Sequence, residues 1–123
     1  MNVPNQTTAN GVASQVIRST ACVLEYCAVT NTSSADRVYF LLDAASAPSL
    51  VAAAKNPPAG GIISPRIAAS ATWTVFPVDA ANGAAFTKGC TLLSFAVGSN
   101  GQPDFTALSA ADANLVAWSA ALT

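Results

Sequence analysis

The chain has 123 residues, with five Lys and Arg against six Asp and Glu, three cysteines and no histidine. This length fits one domain, and only 9% of the residues are charged, against about 25% in typical soluble domains. The lack of histidine excludes the Ser-His-Asp triad, the Cys-His pair and every histidine-containing zinc site. Because a weakly charged surface tolerates close contact with other protein, we expect a structural or interaction protein and not an enzyme.

The basic residues are scattered along the chain and form no positive stripe for phosphate groups or anionic lipid. We therefore expect neither nucleic acid nor membrane as a partner. No apolar run approaches the roughly 20 residues that span a bilayer. The first residues also lack the charged and apolar regions of a signal peptide, so we expect a soluble chain.

Residues 1–17 are polar and are predicted to form an extended N-terminal arm that becomes ordered against a partner. Residues 18–123 then form the β domain. The arm residues expected to contact a partner are Asn2, Val3, Pro4, Asn5 and Gln6.

The first half of the β domain contains two segments with strand patterns. Residues 20–30 alternate in a way that predicts a strand with Leu24 and Tyr26 facing inward. Residues 37–42 predict a second strand, and the polar run 31–36 between them predicts a hairpin.

The second half begins with a long connection over residues 44–61, which has room for one short helical turn. Predicted strands follow at 62–67, 72–78 and 90–97, and Pro65 limits the first of them to a sheet edge or an irregular segment. Trp73 and Phe95 are predicted core residues, and Leu93, Phe95 and Val97 share one side of their strand. Residues 114–122 fit helical and strand spacing equally. Strands separated by turns, without alternating helices, predict an all-β antiparallel sandwich or barrel.

The three cysteines are too few for a disulfide framework and too widely spaced for a metal pattern. Cys22 and Cys27 are predicted on opposite faces of one strand, too far apart to bridge. Cys90 could pair with either across strands. The expected alternative is three small, buried hydrophobic residues.

Carboxylates are the remaining acid or base candidates: Glu25, Asp36, Asp43, Asp79, Asp104 and Asp112. Their spacing indicates no pair across a cleft and no calcium loop. Four of them, all except Glu25 and Asp43, stand beside turn residues, where Asp bonds nearby backbone N–H groups. Gly60-Gly61 lacks the context of a phosphate-binding loop. We predict no catalytic residue, no bound metal and no cofactor.

Four segments form a recognisable combination: Cys27–Pro48 (CAVTNTSSADRVYFLLDAASAP), Pro58–Gly61 (PAGG), Trp73–Pro77 (WTVFP) and Phe86–Val97 (FTKGCTLLSFAV). Together they resemble small bacteriophage virion proteins. The most specific part is Ser34-Ala35-Asp36-Arg37 followed by an alternating strand and Ala47-Pro48. The chain departs from the family at Leu42-Asp43-Ala44, where Tyr-Asp-Lys is usual, and at 102–114, where a Gly/Asp/Ser-rich loop is common.

This resemblance implies a jelly-roll-like antiparallel β-sandwich whose last strand is 114–122. It implies a capsid decoration (cement) protein that binds the major capsid protein or other virion proteins. The protein would belong to a virion assembled in the bacterial host cytoplasm, as a homo-oligomer with a trimer favoured. Two alternatives remain: a tail, baseplate or head-fibre base component, and a carbohydrate-binding sandwich in which exposed Trp73 or Trp118 stacks on sugar.

Overall fold

The computed structural model describes residues 6–8, 14–46, 60–75, 84–105 and 113–121, which form nine β-strands and no helix. In chain order they are β1 Gln6–Thr8, β2 Ser14–Arg18, β3 Cys22–Asn31, β4 Arg37–Asp43, β5 Gly61–Ile63, β6 Thr72–Val75, β7 Ala84–Phe86, β8 Cys90–Ala96 and β9 Ala113–Ala121. The predicted all-β class is confirmed. Within these ranges no helix could cross a membrane.

The strands form two antiparallel sheets. The five-stranded sheet has the order β1-β9-β3-β6, with β7 also paired to β3, and the four-stranded sheet has the order β2-β8-β4-β5. With β7 set aside, the strands pair from the outside of the chain inward: β1 with β9, β2 with β8, β3 with β6 and β4 with β5. The strand interpretation of residues 114–122 is therefore confirmed, since they lie almost wholly in β9.

Both sheets contribute side chains to one buried cluster, through which they pack together. The five-stranded sheet supplies Leu24, Val29, Trp73, Phe86 and Leu115, and the four-stranded sheet supplies Ile17, Tyr39, Leu41 and Leu92. Trp73 is only 9% exposed, which confirms it as a core residue. Burial of such apolar surface is the main favourable term in folding.

The opposite face of the four-stranded sheet carries a second buried cluster. It consists of Val38, Phe40, Leu42, Leu93, Phe95 and Phe105. Phe95 and Phe105 meet edge to face, with ring centroids 5.0 Å apart. Since β4 and β8 are buried on both faces, their sequences read as nearly continuous apolar runs. Phe95 is thus confirmed as a core residue, and it shares this side with Leu93 and Val97 as predicted.

The predicted inward face of the first long strand is wrong beyond Leu24. The register between β3 and β9 shifts between Leu24 and Tyr26, which marks a β-bulge, and Glu25 is exposed there. The extra residue reverses the alternation. Leu24 faces the core, but Tyr26 is only half-buried and Cys27 points inward in its place.

The predicted hairpin between the first two long strands is also wrong. β3 belongs to the five-stranded sheet and β4 to the four-stranded sheet. Both sides of each strand are already occupied, because β3 lies between β9 and β6 with β7, and β4 lies between β8 and β5. The polar run after Asn31 therefore crosses from one sheet to the other.

Parts of the predicted N-terminal arm lie in the sheets. β1 pairs with β9, and residues 14–17 belong to β2, so the predicted boundary at residue 18 falls inside a strand. An arm that extends away from the domain is not confirmed. The middle of the predicted connection 44–61 and the end of the predicted strand 72–78 lie outside the described residues. Of the predicted strand 62–67, only the beginning forms a strand: β5 ends at Ile63 and lies at a sheet edge, while Pro65 lies in the irregular segment that follows.

Candidate functional site

The turn between β3 and β4 is organised by the side chain of Asn31, which is fully buried. Its amide group donates to the carbonyls of Ala35 (2.8 Å) and Ile67 (3.0 Å). Its side-chain oxygen accepts the N–H of Ser33 at 3.0 Å and also the Ser33 hydroxyl. A buried amide with this many partners fixes the path of the chain.

The Ser-Ala-Asp-Arg motif continues from this turn. Arg37 exchanges two backbone hydrogen bonds with Ile67, of 3.0 and 2.8 Å. The Asp36 carboxylate lies 3.4 Å from Nε of Arg66, and both side chains are substantially exposed, so this ion pair adds little stability. The most specific part of the resemblance therefore has a structural role, which is to carry the chain between the two sheets.

The Pro-Ala-Gly-Gly segment ends in two glycines with different constraints. Gly60 has a positive φ of 88°, which glycine adopts without strain. A Cβ on Gly61 would lie 2.1 Å from the Leu41 carbonyl oxygen and 2.5 Å from a ring carbon of Phe40. Gly61 therefore lets β5 approach β4 closely over the ring of Phe40.

Asp43, at the end of β4, binds the turn between β7 and β8. Its carboxylate accepts the Lys88 N–H (2.8 Å), the Thr87 N–H (3.1 Å) and the Thr87 hydroxyl (3.0 Å). Burial alone would raise the pKa of Asp43, but these bonds and one from the Gly89 N–H outweigh it, so the pKa is lowered. The carboxylate thus stays ionised and holds a turn that passes from one sheet to the other.

A hollow of about 350 Å³ opens beside Asp43 and is lined by Asp43, Gly60, Gly61, Ile62, Ala85 and Phe86. Asp43 is the only ionisable residue among these six. A general acid or base needs a pKa near the working pH and a free site for the proton. Asp43 has a lowered pKa, and both its oxygens accept hydrogen bonds. The hollow therefore offers no acid-base chemistry through Asp43.

The other carboxylates that the structure describes do not meet in one place. Glu25 and Asp104 are exposed, and Asp36 pairs with Arg66. Asp79 and Asp112 lie outside the described residues. Within the described ranges, no group of three His, Cys, Asp or Glu residues could hold a metal ion.

The three cysteines are free and buried, as predicted. The prediction that Cys22 and Cys27 face opposite ways is wrong, since both belong to the central cluster after the bulge in β3. Burial raises the pKa of Cys27 to about 12 and also raises the pKa values of Cys22 and Cys90. Because the thiolate is the reactive form, these thiols are inert near neutral pH.

The outer face of the five-stranded sheet carries neutral residues that are exposed or half-buried: Ala28, Thr30, Thr72, Thr74 and Asn114. We call these five residues the threonine face. They are neighbours in the strand ladders, and the Thr30 and Thr72 hydroxyls are hydrogen-bonded at 2.8 Å. None of these five side chains carries a charge.

The predicted contact residues of the arm are mostly not placed by the structure. Asn2, Val3, Pro4 and Asn5 lie outside the described residues, and the backbone of Gln6 pairs with Leu115 in β1. Comparison with family models, characterised proteins and solved structures gave no match to the chain.

Proposed function

We propose that this chain is a bacteriophage virion structural protein, a jelly-roll-like β-sandwich that decorates and stabilises the capsid shell. Its partner is the major capsid protein or another virion protein. It binds as a homo-oligomer, with a trimer favoured, and residues Asn2–Gln6 reach a neighbouring subunit.

The observation that carries the proposal is the strand pairing. A jelly roll is an eight-stranded double sheet built from two Greek keys, and viral capsid domains commonly use it. Its strands pair from the ends of the chain inward, as they would if one long hairpin were rolled up. With β7 set aside, the present chain has this pairing, which supports the jelly-roll description.

The resemblance supports the same fold for a physical reason. Its segments contain residues that fix turns or close approaches between strands. Asn31 holds the turn after β3, Gly61 lets β5 lie close to β4, and Asp43 binds the turn before β8. Residues shared for such reasons indicate a shared fold, while the function attached to that fold is a separate inference.

The surface supports an assembly role. The threonine face carries no charge, so covering it with a neighbouring protein requires no ion to lose its hydration. Contacts of this kind are weak individually and gain strength when a symmetric shell repeats them.

The burial of Trp73 argues against the carbohydrate-binding alternative. Jelly rolls also occur in lectins, but Trp73, one of the two tryptophans expected to stack on sugar, is buried. A tail, baseplate or head-fibre position remains the nearest alternative within the virion.

The proposal is tested by co-sedimentation of the purified protein with expanded capsids that lack decoration, from the phage that encodes it. We expect saturable binding at a fixed ratio to the capsid protein. A Thr74→Lys variant places a charge on the threonine face and should weaken this binding. An Ala68→Lys variant, at an exposed site between β5 and β6, is the matched control and should bind normally. A monomer that shows no binding to capsids would refute the decoration role.

A further inference from the structure

Two buried hydroxyl side chains lie at opposite positions on adjacent strands. Tyr39 on β4 and Ser94 on β8 are directly opposite in the antiparallel ladder. Both lie on the side of the four-stranded sheet that faces the central cluster, since Leu41 and Leu92 follow on the same face. Tyr39 is 0% exposed and Ser94 is 5% exposed.

Neither hydroxyl has a hydrogen-bond partner in the part of the chain that the structure describes. The large majority of buried side-chain polar atoms in proteins bond to protein or to ordered water. An unsatisfied buried hydroxyl keeps its full desolvation cost. Two such groups on adjacent strands therefore call for a common explanation.

The surroundings of these hydroxyls are not purely apolar. Arg37 precedes Tyr39 by two residues on β4, and its positive charge acts to lower the pKa of Tyr39, against a larger effect of burial that raises it to about 12. Tyr39 and Ser94 thus lie among apolar side chains of the central cluster, with the half-buried Arg37 close enough to act on Tyr39. Buried sites with polar partners hold water, whereas purely apolar cavities stay dry.

We propose that Tyr39 and Ser94 bind a buried water molecule between the two sheets. A hydroxyl can both donate and accept, so a single water can accept from one of them and donate to the other. Small domains hold about one buried water per 27 residues, usually with two to four hydrogen bonds each. The water links β4 and β8 through their side chains as well as their backbones.

The test compares the melting temperatures of Tyr39→Phe, Ser94→Ala and the double variant with that of the parent protein. We expect each single change to lower the Tm by roughly 3 °C, since it leaves the water with fewer partners. We expect the double variant to lose little more than the worse single variant, because one change already releases the water. Ser34→Ala, in the exposed turn before β4, is the matched control and should leave the Tm unchanged.

A Tm that rises or stays unchanged in the single variants would overturn the proposal. If the hydroxyls are simply unsatisfied, Tyr39→Phe and Ser94→Ala each remove a desolvated group, and the Tm rises or stays the same. A crystal structure at a resolution that shows ordered water provides a second measurement. Density within hydrogen-bond distance of both oxygens supports the proposal, and its absence contradicts it.

Discussion

The carboxylate of Asp43 accepts the backbone N–H of Lys88 at 2.8 Å, and this bond joins the end of β4 to the turn that leaves β7. The two residues are 45 positions apart in the chain. This turn carries the chain from the five-stranded sheet into the four-stranded sheet. The bond therefore fixes the position of the connection between the two sheets.

Asp43→Asn should destabilise the protein by about 1–2 kcal/mol at pH 7, because the new amide group faces N–H donors. The folded-state pKa of Asp43 is lowered from 3.8. Its contribution is therefore present above the unfolded-state pKa and is lost as the pH falls through the folded-state pKa. Urea unfolding at pH 7 and pH 3 measures the free energy of unfolding of both proteins. The difference between variant and parent should be smaller at pH 3. Asp36→Asn, at the exposed ion pair, is the control and should cost under about 1 kcal/mol.

Gly61→Ala should lower the free energy of unfolding by about 3 kcal/mol or more, because its Cβ would overlap the Leu41 carbonyl and the Phe40 ring. Gly60→Ala meets no atom within 4 Å and should cost only about 1–2 kcal/mol, through its positive φ. Thermal unfolding of the two variants measures the difference. Equal losses would show that β5 does not approach β4 as described.

Asn31→Asp should be strongly destabilising, by about 3–5 kcal/mol, although it barely changes the side-chain shape. It removes the donors to the Ala35 and Ile67 carbonyls and places a carboxylate against them in a buried site. Asn114→Asp, on the exposed threonine face, makes the same chemical change and should alter stability by about 0.5 kcal/mol or less. Denaturant unfolding compares them, and similar costs would contradict the structural role of Asn31.

Stability should fall in alkali as the pH rises above 9. The pKa of Cys27 is raised from 9.0 to about 12 in the folded state, so the unfolded chain loses its thiol protons first. The stabilising contribution is complete below pH 9 and is lost as the pH rises towards 12. Free energies of unfolding measured from pH 8 to 11 should decline. The decline should be shallower in Cys27→Ala, and an identical slope in both proteins would argue against a buried Cys27.

Composition and alternation predicted the parts of the fold that depend on local pattern. Trp73 and Phe95 were identified as core residues, because apolar side chains at strand spacing must be covered. The bulge at Glu25 could not be predicted, because one extra residue in a strand leaves no mark on composition. The hairpin between β3 and β4 failed for a related reason: a polar turn looks the same whether it joins neighbours in one sheet or crosses between two.

The role of Asp43 was missed because its partners lie far along the chain. Nothing in the sequence around Phe86-Thr87-Lys88-Gly89 indicates the carboxylate that binds this turn. The sequence around Asp43 carries no local signal for this role, because the residues that it binds lie 44 and 45 positions further along the chain.

Electron microscopy of assembled phage particles at side-chain resolution tests the virion role most directly. We expect density for this double-sheet domain at symmetric positions on the outside of the head, with residues Asn2–Gln6 against a neighbouring subunit. Particles that contain the protein only in the tail or baseplate would contradict the decoration role. Purified particles without the protein at any position would contradict the virion assignment itself.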